Sequence, residues 1–114
     1  MSHHGSCHCG RIAFEVEGQP EQLVSCNCSH CARKGFLLWF VPREALTMKT
    51  PESDMASYTF HKHVIRHHFC PVCGCAPLSF GEHEGKAMAA VNVRCLADLD
   101  FHDIPQRGVD GRSL

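Results

Sequence analysis

The sequence lacks long apolar runs, has a single tryptophan and a single tyrosine, and carries no excess of charge of either sign. No apolar segment approaches the roughly 18 residues that a membrane-spanning helix needs. Residues 1–5 do not begin an export signal, which has a basic stretch followed by an apolar one. We therefore expect a cytoplasmic protein with no membrane span. The net charge is -1, with acidic and basic residues interspersed and no basic stripe, so nucleic acid is not an expected partner.

A sustained helical period is also missing, because no 3.6-residue apolar pattern lasts beyond two turns. Ile12, Phe14 and Val16 instead alternate with polar residues, which predicts a half-buried strand. The apolar run 36–41, which Pro42 ends, predicts a buried central strand. Further strands are predicted at 23–25, 57–60, 64–69, 78–80 and 88–94, with a turn at 61–63, single helical turns at 29–34 and 42–46, and a loop-like tail from residue 95. We expect one domain spanning residues 1–114, mainly β, with one or two short helical turns.

Cysteine is the residue that the chain has in excess, with nine among 114 residues. A disulfide framework is typical of small secreted proteins. Here the number is odd, no export signal is present, and the cysteines are separated by only one or two residues. Such close pairs do not easily bridge to each other, but they chelate a tetrahedral metal well. The spacing therefore predicts metal binding rather than disulfides.

Two separated pairs, Cys7-x-Cys9 and Cys70-x-x-Cys73, supply four thiolates, which is the ligand set of a closed structural zinc site. A glycine follows each pair and permits the positive φ that turns backbone amides toward the sulfurs. Joining Cys9 to Cys70 closes a long loop across the domain. The binding free energy of structural zinc exceeds the net stability of a typical small domain, so we expect the fold to depend on this site.

The segment between these pairs holds a cysteine triplet, Cys26-x-Cys28-x-x-Cys31. Three thiolates form an incomplete tetrahedron, and three protein ligands with one open position are the pattern of a catalytic zinc. The alternative is a closed, structural site in which a further side chain is the fourth ligand. The candidates for that ligand are His30, Cys75, Cys95, His67 and His68.

Other polar residues have weaker patterns. Cys75 and Cys95 are expected to be small buried residues rather than ligands. The histidines at 61, 63, 67 and 68 are expected to lie on a solvated face. Arg33 and Lys34 follow the triplet, where they either offset its negative charge, bind a substrate carboxylate, or are simply solvated.

Four motifs together resemble one known family. They are Cys-His-Cys-Gly at 7–10, Cys-Asn-Cys-Ser-His-Cys at 26–31, Cys-Pro-Val-Cys-Gly at 70–74 and Val-Asn-Val-Arg-Cys-Leu at 91–96, followed by Asp110-Gly111. In this order they resemble the glutathione-dependent formaldehyde-activating enzyme family, which includes centromere protein V. The resemblance implies a β-tent of small antiparallel sheets organised around zinc, two zinc ions per chain, and carbon–sulfur lyase chemistry. In the family's named reaction, glutathione and formaldehyde combine to S-hydroxymethylglutathione.

The resemblance also assigns roles to the cysteines. Cys7, Cys9, Cys70 and Cys73 would hold the structural zinc, and Cys26, Cys28 and Cys31 would hold the catalytic zinc. The expected partner is a small thiol of the glutathione type. The bulky apolar segment 35–40 departs from the small polar residues that follow the triplet in the namesake enzymes, which leaves the substrate open. The alternative function is a non-catalytic zinc module that binds a protein partner or stores metal.

Overall fold

The computed structural model describes residues 2–60 and 64–113. The predicted turn at 61–63 lies outside the described residues. Within the described residues, ten strands form two sheets around one short helix, α1 (Ser29–Lys34). The strands are β1 (Ser2–Ser6), β2 (Ala13–Glu17), β3 (Leu23–Cys26), β4 (Leu38–Pro42), β5 (Leu46–Met48), β6 (Ala56–Tyr58), β7 (Arg66–Phe69), β8 (Leu78–His83), β9 (Lys86–Asn92) and β10 (Gln106–Val109). Short 3₁₀ turns cover Arg43–Ala45, Glu52–Asp54, Val93–Cys95 and Gly111–Ser113. The prediction of a mainly β chain with short helical turns is confirmed.

The smaller sheet has three antiparallel strands in the order β1-β2-β5. Its middle strand, β2, buries Phe14 and Val16 and leaves the intervening side chains partly exposed, as the alternation predicts. Strand β1 has no apolar pattern of its own and is held by pairing with β2. Its His3 is buried and lies edge-on to Trp39, with ring centroids 6.0 Å apart.

The larger sheet has seven strands in the order β10-β3-β4-β9-β8-β7-β6. The apolar run 36–41 enters it as β4, where Trp39 and Val41 face the core. The prediction of a buried central strand is confirmed for β4, although Phe40 points outward and is 50% exposed. In this sheet β10 runs parallel to β3, and the other pairings are antiparallel.

The prediction of a loop-like tail after residue 95 is wrong at 106–109, which form β10. These residues have no apolar alternation, and three of the four are exposed. The strand therefore depends on backbone pairing with residues 23–26, more than eighty positions earlier in the chain. A pairing partner so far away leaves no local pattern in the sequence.

Apolar side chains form a main core between the two sheets and a smaller cluster beside α1. The main core includes Phe14, Trp39, Val91 and Leu96. The smaller cluster includes Val24, Cys31, Phe36 and Leu38, and the triplet's Cys26 and Cys28 pack against it. Among the described residues, no helix is long and apolar enough to cross a membrane.

The close packing of β1 on the core gives a test of the fold. A Cβ at Gly5 would overlap the ring of Phe14 and approach Cδ2 of Leu96 to 2.9 Å. We expect Gly5→Ala to lower the free energy of unfolding by about 1–3 kcal/mol, because an added methyl group overpacks the core. Denaturant titration measures the loss. The matched control is Gly81→Ala in β8, where the new Cβ would meet only Ile65 at 3.5 Å. Equal stability of the two variants would contradict the packing of β1.

Candidate metal centres and the adjoining cavity

The two outer cysteine pairs meet at one place. The Sγ atoms of Cys7, Cys9, Cys70 and Cys73 all lie within 4.8 Å of one another. Cys9 Sγ is 3.7 Å from Cys7 Sγ and 3.6 Å from Cys70 Sγ. Four sulfurs at about 2.3 Å from a tetrahedral zinc would be about 3.8 Å apart. The sulfur–sulfur distances therefore fit a four-coordinate metal and are far too long for disulfides.

Backbone amides surround these sulfurs. Val72 and Cys73 both donate N–H groups to Cys70 Sγ at 3.4 Å, and Ile12 donates to Cys7 Sγ at 3.3 Å. The turn at Gly74, with φ of 80°, places its N–H on the carbonyl of Cys70. The amides of Cys75 and Cys9 lower the pKa of Cys73 to about 6. Donors of this kind favour the thiolate, which is the form that binds metal.

The triplet forms a second group, in which the Sγ atoms of Cys26, Cys28 and Cys31 lie within 4.8 Å of one another. Strand β3 ends at Cys26, and Cys28 is the N-cap of α1, where its sulfur accepts the N–H of Cys31 at 3.3 Å. The helix ends at Gly35, whose φ is 68°. This confirms the helical turn that the sequence predicts at 29–34, and the glycine in the left-handed conformation closes it.

Mutual repulsion and burial limit ionisation of the triplet. Burial raises the pKa of Cys31, and the sulfurs of Cys28 and Cys26 raise it further. Burial also opposes ionisation of Cys28, but hydrogen bonds from the amides of Cys31 and His30 and from the neighbouring thiols together outweigh it and lower the pKa of Cys28. Three thiolates this close therefore need a cation to coexist, and their donor set suits zinc.

None of the proposed fourth ligands joins the triplet among the described residues. Cys75 and Cys95 lie together elsewhere, with their Sγ atoms 3.6 Å apart, and both are half-buried. The ring of His30 packs against other rings, at 4.3 Å from His67 and 5.6 Å from Phe36. His68 packs against Phe80, with ring centroids 4.8 Å apart.

The C-terminal residues contact the triplet, which the sequence alone did not predict beyond a turn at Asp110-Gly111. Asp110 accepts hydrogen bonds from Asn27 Nδ2 at 3.0 Å and from Ser113 Oγ at 2.7 Å. Gly111 lies so close that a Cβ there would overlap Cys26 Sγ and approach Cys28 Cβ to 3.1 Å. The only sequence signal for this contact was the aspartate-glycine pair itself.

A cavity of about 430 Å³ lies between α1 and strands β6 and β7, and we call it the α1 cavity. Its lining includes two cations and five rings: Arg33, Lys34, His30, Tyr58, His67, His68 and Phe69. The prediction that the histidines lie on a solvated face is wrong for His67 and His68, which are half-buried because β7 lies between β6 and β8. Residues 61 and 63 lie outside the described residues.

The cavity histidines are held neutral. Burial, together with the nearby His30 and His68, lowers the pKa of His67 to about 4. Burial also lowers the pKa of His30, together with Lys34. Nδ1 of His30 and both ring nitrogens of His68 are buried and have no hydrogen bond of normal geometry in the described part of the chain. Buried polar atoms without a partner are uncommon and mark a place for a ligand or water.

The two cysteine groups should differ in their effect on stability. Cys7 and Cys70 are at most 2% exposed, and their group joins residues 61 positions apart. We expect Cys70→Ser to abolish cooperative folding, whereas Cys28→Ser should leave the domain folded. Circular dichroism and thermal unfolding make the comparison, with Cys75→Ser as the control for replacing a half-buried cysteine outside both groups. Equal unfolding of the Cys70 and Cys28 variants would contradict this division.

The tail contact gives a separate test at the triplet. We expect Gly111→Ala to weaken metal binding at the triplet by roughly tenfold or more, because the new methyl group must displace Cys26 or the tail. Competition with a chromogenic chelator measures the affinity. Gly108→Ala is the control, since a Cβ there would meet nothing within 4 Å. Unchanged affinity in the Gly111 variant would mean that the tail moves without disturbing the triplet.

Comparisons with known proteins identify the fold and the family of the chain. A crystal structure of a Rhodobacter sphaeroides protein, a structural genomics target, superposes with a TM-score of 0.78 at 25% sequence identity, and the match covers 94% of this chain and 100% of that one. The family model described as glutathione-dependent formaldehyde-activating enzyme matches residues 2–107. The chain therefore belongs to the glutathione-dependent formaldehyde-activating enzyme family.

Proposed function

We propose that this protein is a zinc-dependent enzyme of the carbon–sulfur lyase type that acts on the adduct of a small thiol and an aldehyde. Glutathione and formaldehyde are the first pair to test, because the family's description names them. The observation that carries the proposal is the triplet, whose three sulfurs gather within 4.8 Å while no fourth ligand joins them among the described residues. Such a set is suited to a metal with one position left for substrate.

The proposal gives the cysteines two roles. Cys7, Cys9, Cys70 and Cys73 hold a structural zinc, and Cys26, Cys28 and Cys31 hold a second zinc at which substrate binds. When bound at the triplet, zinc would supply a site that lowers the pKa of a substrate thiol. Three thiolates against a dication leave one excess negative charge, so this site suits an incoming thiol better than it suits the activation of water.

The reaction requires one proton to move. In the direction of synthesis, the S–H bond of the thiol breaks, a C–S bond forms to the aldehyde carbon, and the carbonyl oxygen takes up a proton. The lyase direction reverses these changes. His30 is our candidate to carry the proton, because it lies between two of the triplet cysteines in sequence and its buried Nδ1 has no protein partner in the described residues. Ring contacts with Phe36, Tyr58, Phe60 and His67 fix its orientation.

Metal content and coordination test the site. We expect two zinc ions per chain in the wild type and one in Cys28→Ser. X-ray absorption at zinc, taken as the difference between the two proteins, should give three sulfurs and one exogenous ligand at the triplet. A fourth protein ligand at the triplet would overturn the open site and favour the non-catalytic zinc module.

Catalysis is tested separately. NMR exchange spectroscopy with ¹³C-formaldehyde and glutathione should show faster formation and breakdown of the adduct with wild-type protein. Cys28→Ser should lose this acceleration, while the folded control Cys75→Ser should keep it. Exchange that is no faster than in buffer, with the triplet fully loaded, would exclude this thiol–aldehyde pair.

A further inference from the structure

We propose that the α1 cavity binds the carboxylate-bearing end of the thiol substrate. This inference rests on the proposed function, since it assumes that the sulfur of the substrate is held at the triplet. It adds the residues that recognise an acid group of that thiol, namely Arg33 and Lys34 with the ring of His68, which also lines the cavity.

The position of the cavity carries the first step of the argument. Helix α1 contains Cys31 of the triplet, and the same helix lines the cavity with His30, Arg33 and Lys34. On the opposite wall, Ala76 lines the cavity and also packs against the apolar cluster that Cys26 and Cys28 contact. The cavity and the triplet thus draw residues from the same helix and lie against the same apolar cluster. Its volume of about 430 Å³ lies within the usual range for small-molecule pockets.

The charge of the lining carries the second step. Two cations line the cavity, and none of the described residues that line it is acidic. Arg33 donates from Nη1 to the carbonyl of Ser29 at 2.8 Å, which orients the guanidinium along the helix. A guanidinium has further N–H donors, and its planar fork matches a carboxylate. Arg33 and Lys34 therefore favour a ligand with an acid group.

The unpartnered ring nitrogens carry the third step. A neutral imidazole has one donor and one acceptor, and each loses water when it is buried. Nδ1 of His30 is in this state, and the two ring nitrogens of His68 have only the backbone of Ala56 as a partner between them. A polar ligand in the cavity would satisfy the nitrogens that remain. The rings of Tyr58, Phe60 and His67 stack nearly parallel beside them and give the cavity an apolar wall for the body of the substrate.

A competing explanation is that Arg33 and Lys34 act only on the helix. Both lie in the last turn of α1, where cations interact favourably with the helix dipole. That explanation predicts a small effect on stability and none on ligand binding. The experiment must therefore read binding directly, and it must use a ligand that does not need the triplet metal.

The probes are S-methylglutathione and N-acetyl-S-methylcysteine, which keep the acid groups but have no free thiol. Isothermal titration calorimetry on the zinc-loaded protein measures their affinity. We expect Lys34→Gln and Arg33→Gln each to weaken binding by roughly three- to tenfold, the loss of one partly screened charged hydrogen bond. Lys86→Gln is the matched control, because Lys86 is an exposed lysine outside the cavity. It should bind the probes as the wild type does.

Esters of the same probes test whether the acid group is what the two cations recognise. The esters should bind the wild type as weakly as the acids bind the Arg33 and Lys34 variants, and these variants should not weaken ester binding further. Three results would overturn the proposal: no binding of either probe to the wild type, equal binding of acid and ester, or unchanged acid binding in both charge variants.

The outcomes also separate this proposal from the proposed function. If the acids bind through Arg33 and Lys34 but free glutathione leaves the X-ray absorption spectrum of the triplet zinc unchanged, the cavity assignment stands and the thiol chemistry fails. If free glutathione changes that spectrum while the charge variants bind the probes normally, the thiol chemistry stands and the cavity assignment fails.

Discussion

The structure depends on one constraint. Four cysteine sulfurs, two from the smaller sheet and two from the larger one, meet at one place. Cys7 and Cys9 follow β1, and Cys70 and Cys73 follow β7, so their approach ties the three-stranded sheet to the end of the seven-stranded one. Thiols this close gain little from hydrogen bonds between sulfurs. A metal shared among them would convert mutual repulsion into attraction, and it would close a loop of about sixty residues in a domain whose apolar core is modest.

The triplet differs because less of the fold is built on it. It sits where β3 passes into α1, at the edge of the smaller apolar cluster, and its nearest long-range partner is the C-terminal segment. The side chain and the backbone N–H of Asn27 donate to Asp110 and to the carbonyl of Val109, and these bonds hold that segment beside the triplet. Gly111 packs so closely on Cys26 and Cys28 that only a residue without a side chain fits there.

The sequence predicted the local parts of this arrangement and missed the distant ones. Cysteine spacing identified the triplet and alternation identified β2, because each signal lies within a few residues of its effect. The outer group was identified although its pairs lie 61 positions apart, because each pair supplies half of a four-cysteine ligand set. Strand β10 and the ring cluster around His30 could not be predicted in this way. They depend on pairing between segments far apart in the chain, such as 106–109 with 23–26 and His30 with His67. The histidines looked like a solvated face because their alternation was visible and the strands that cover them were not.

The structure also changes which residues we expect to contact a substrate. The bulky segment after the triplet departs from the pattern of the namesake enzymes, but Phe36, Leu37, Leu38 and Trp39 are all at most 8% exposed. Their size is explained by the two apolar clusters that they fill, and so it says little about what the protein binds. The side chains that can contact a ligand are instead those of the α1 cavity, drawn from a helix and from strands more than twenty residues away. Substrate choice in this chain should therefore follow Arg33, Lys34 and the ring nitrogens rather than the apolar segment.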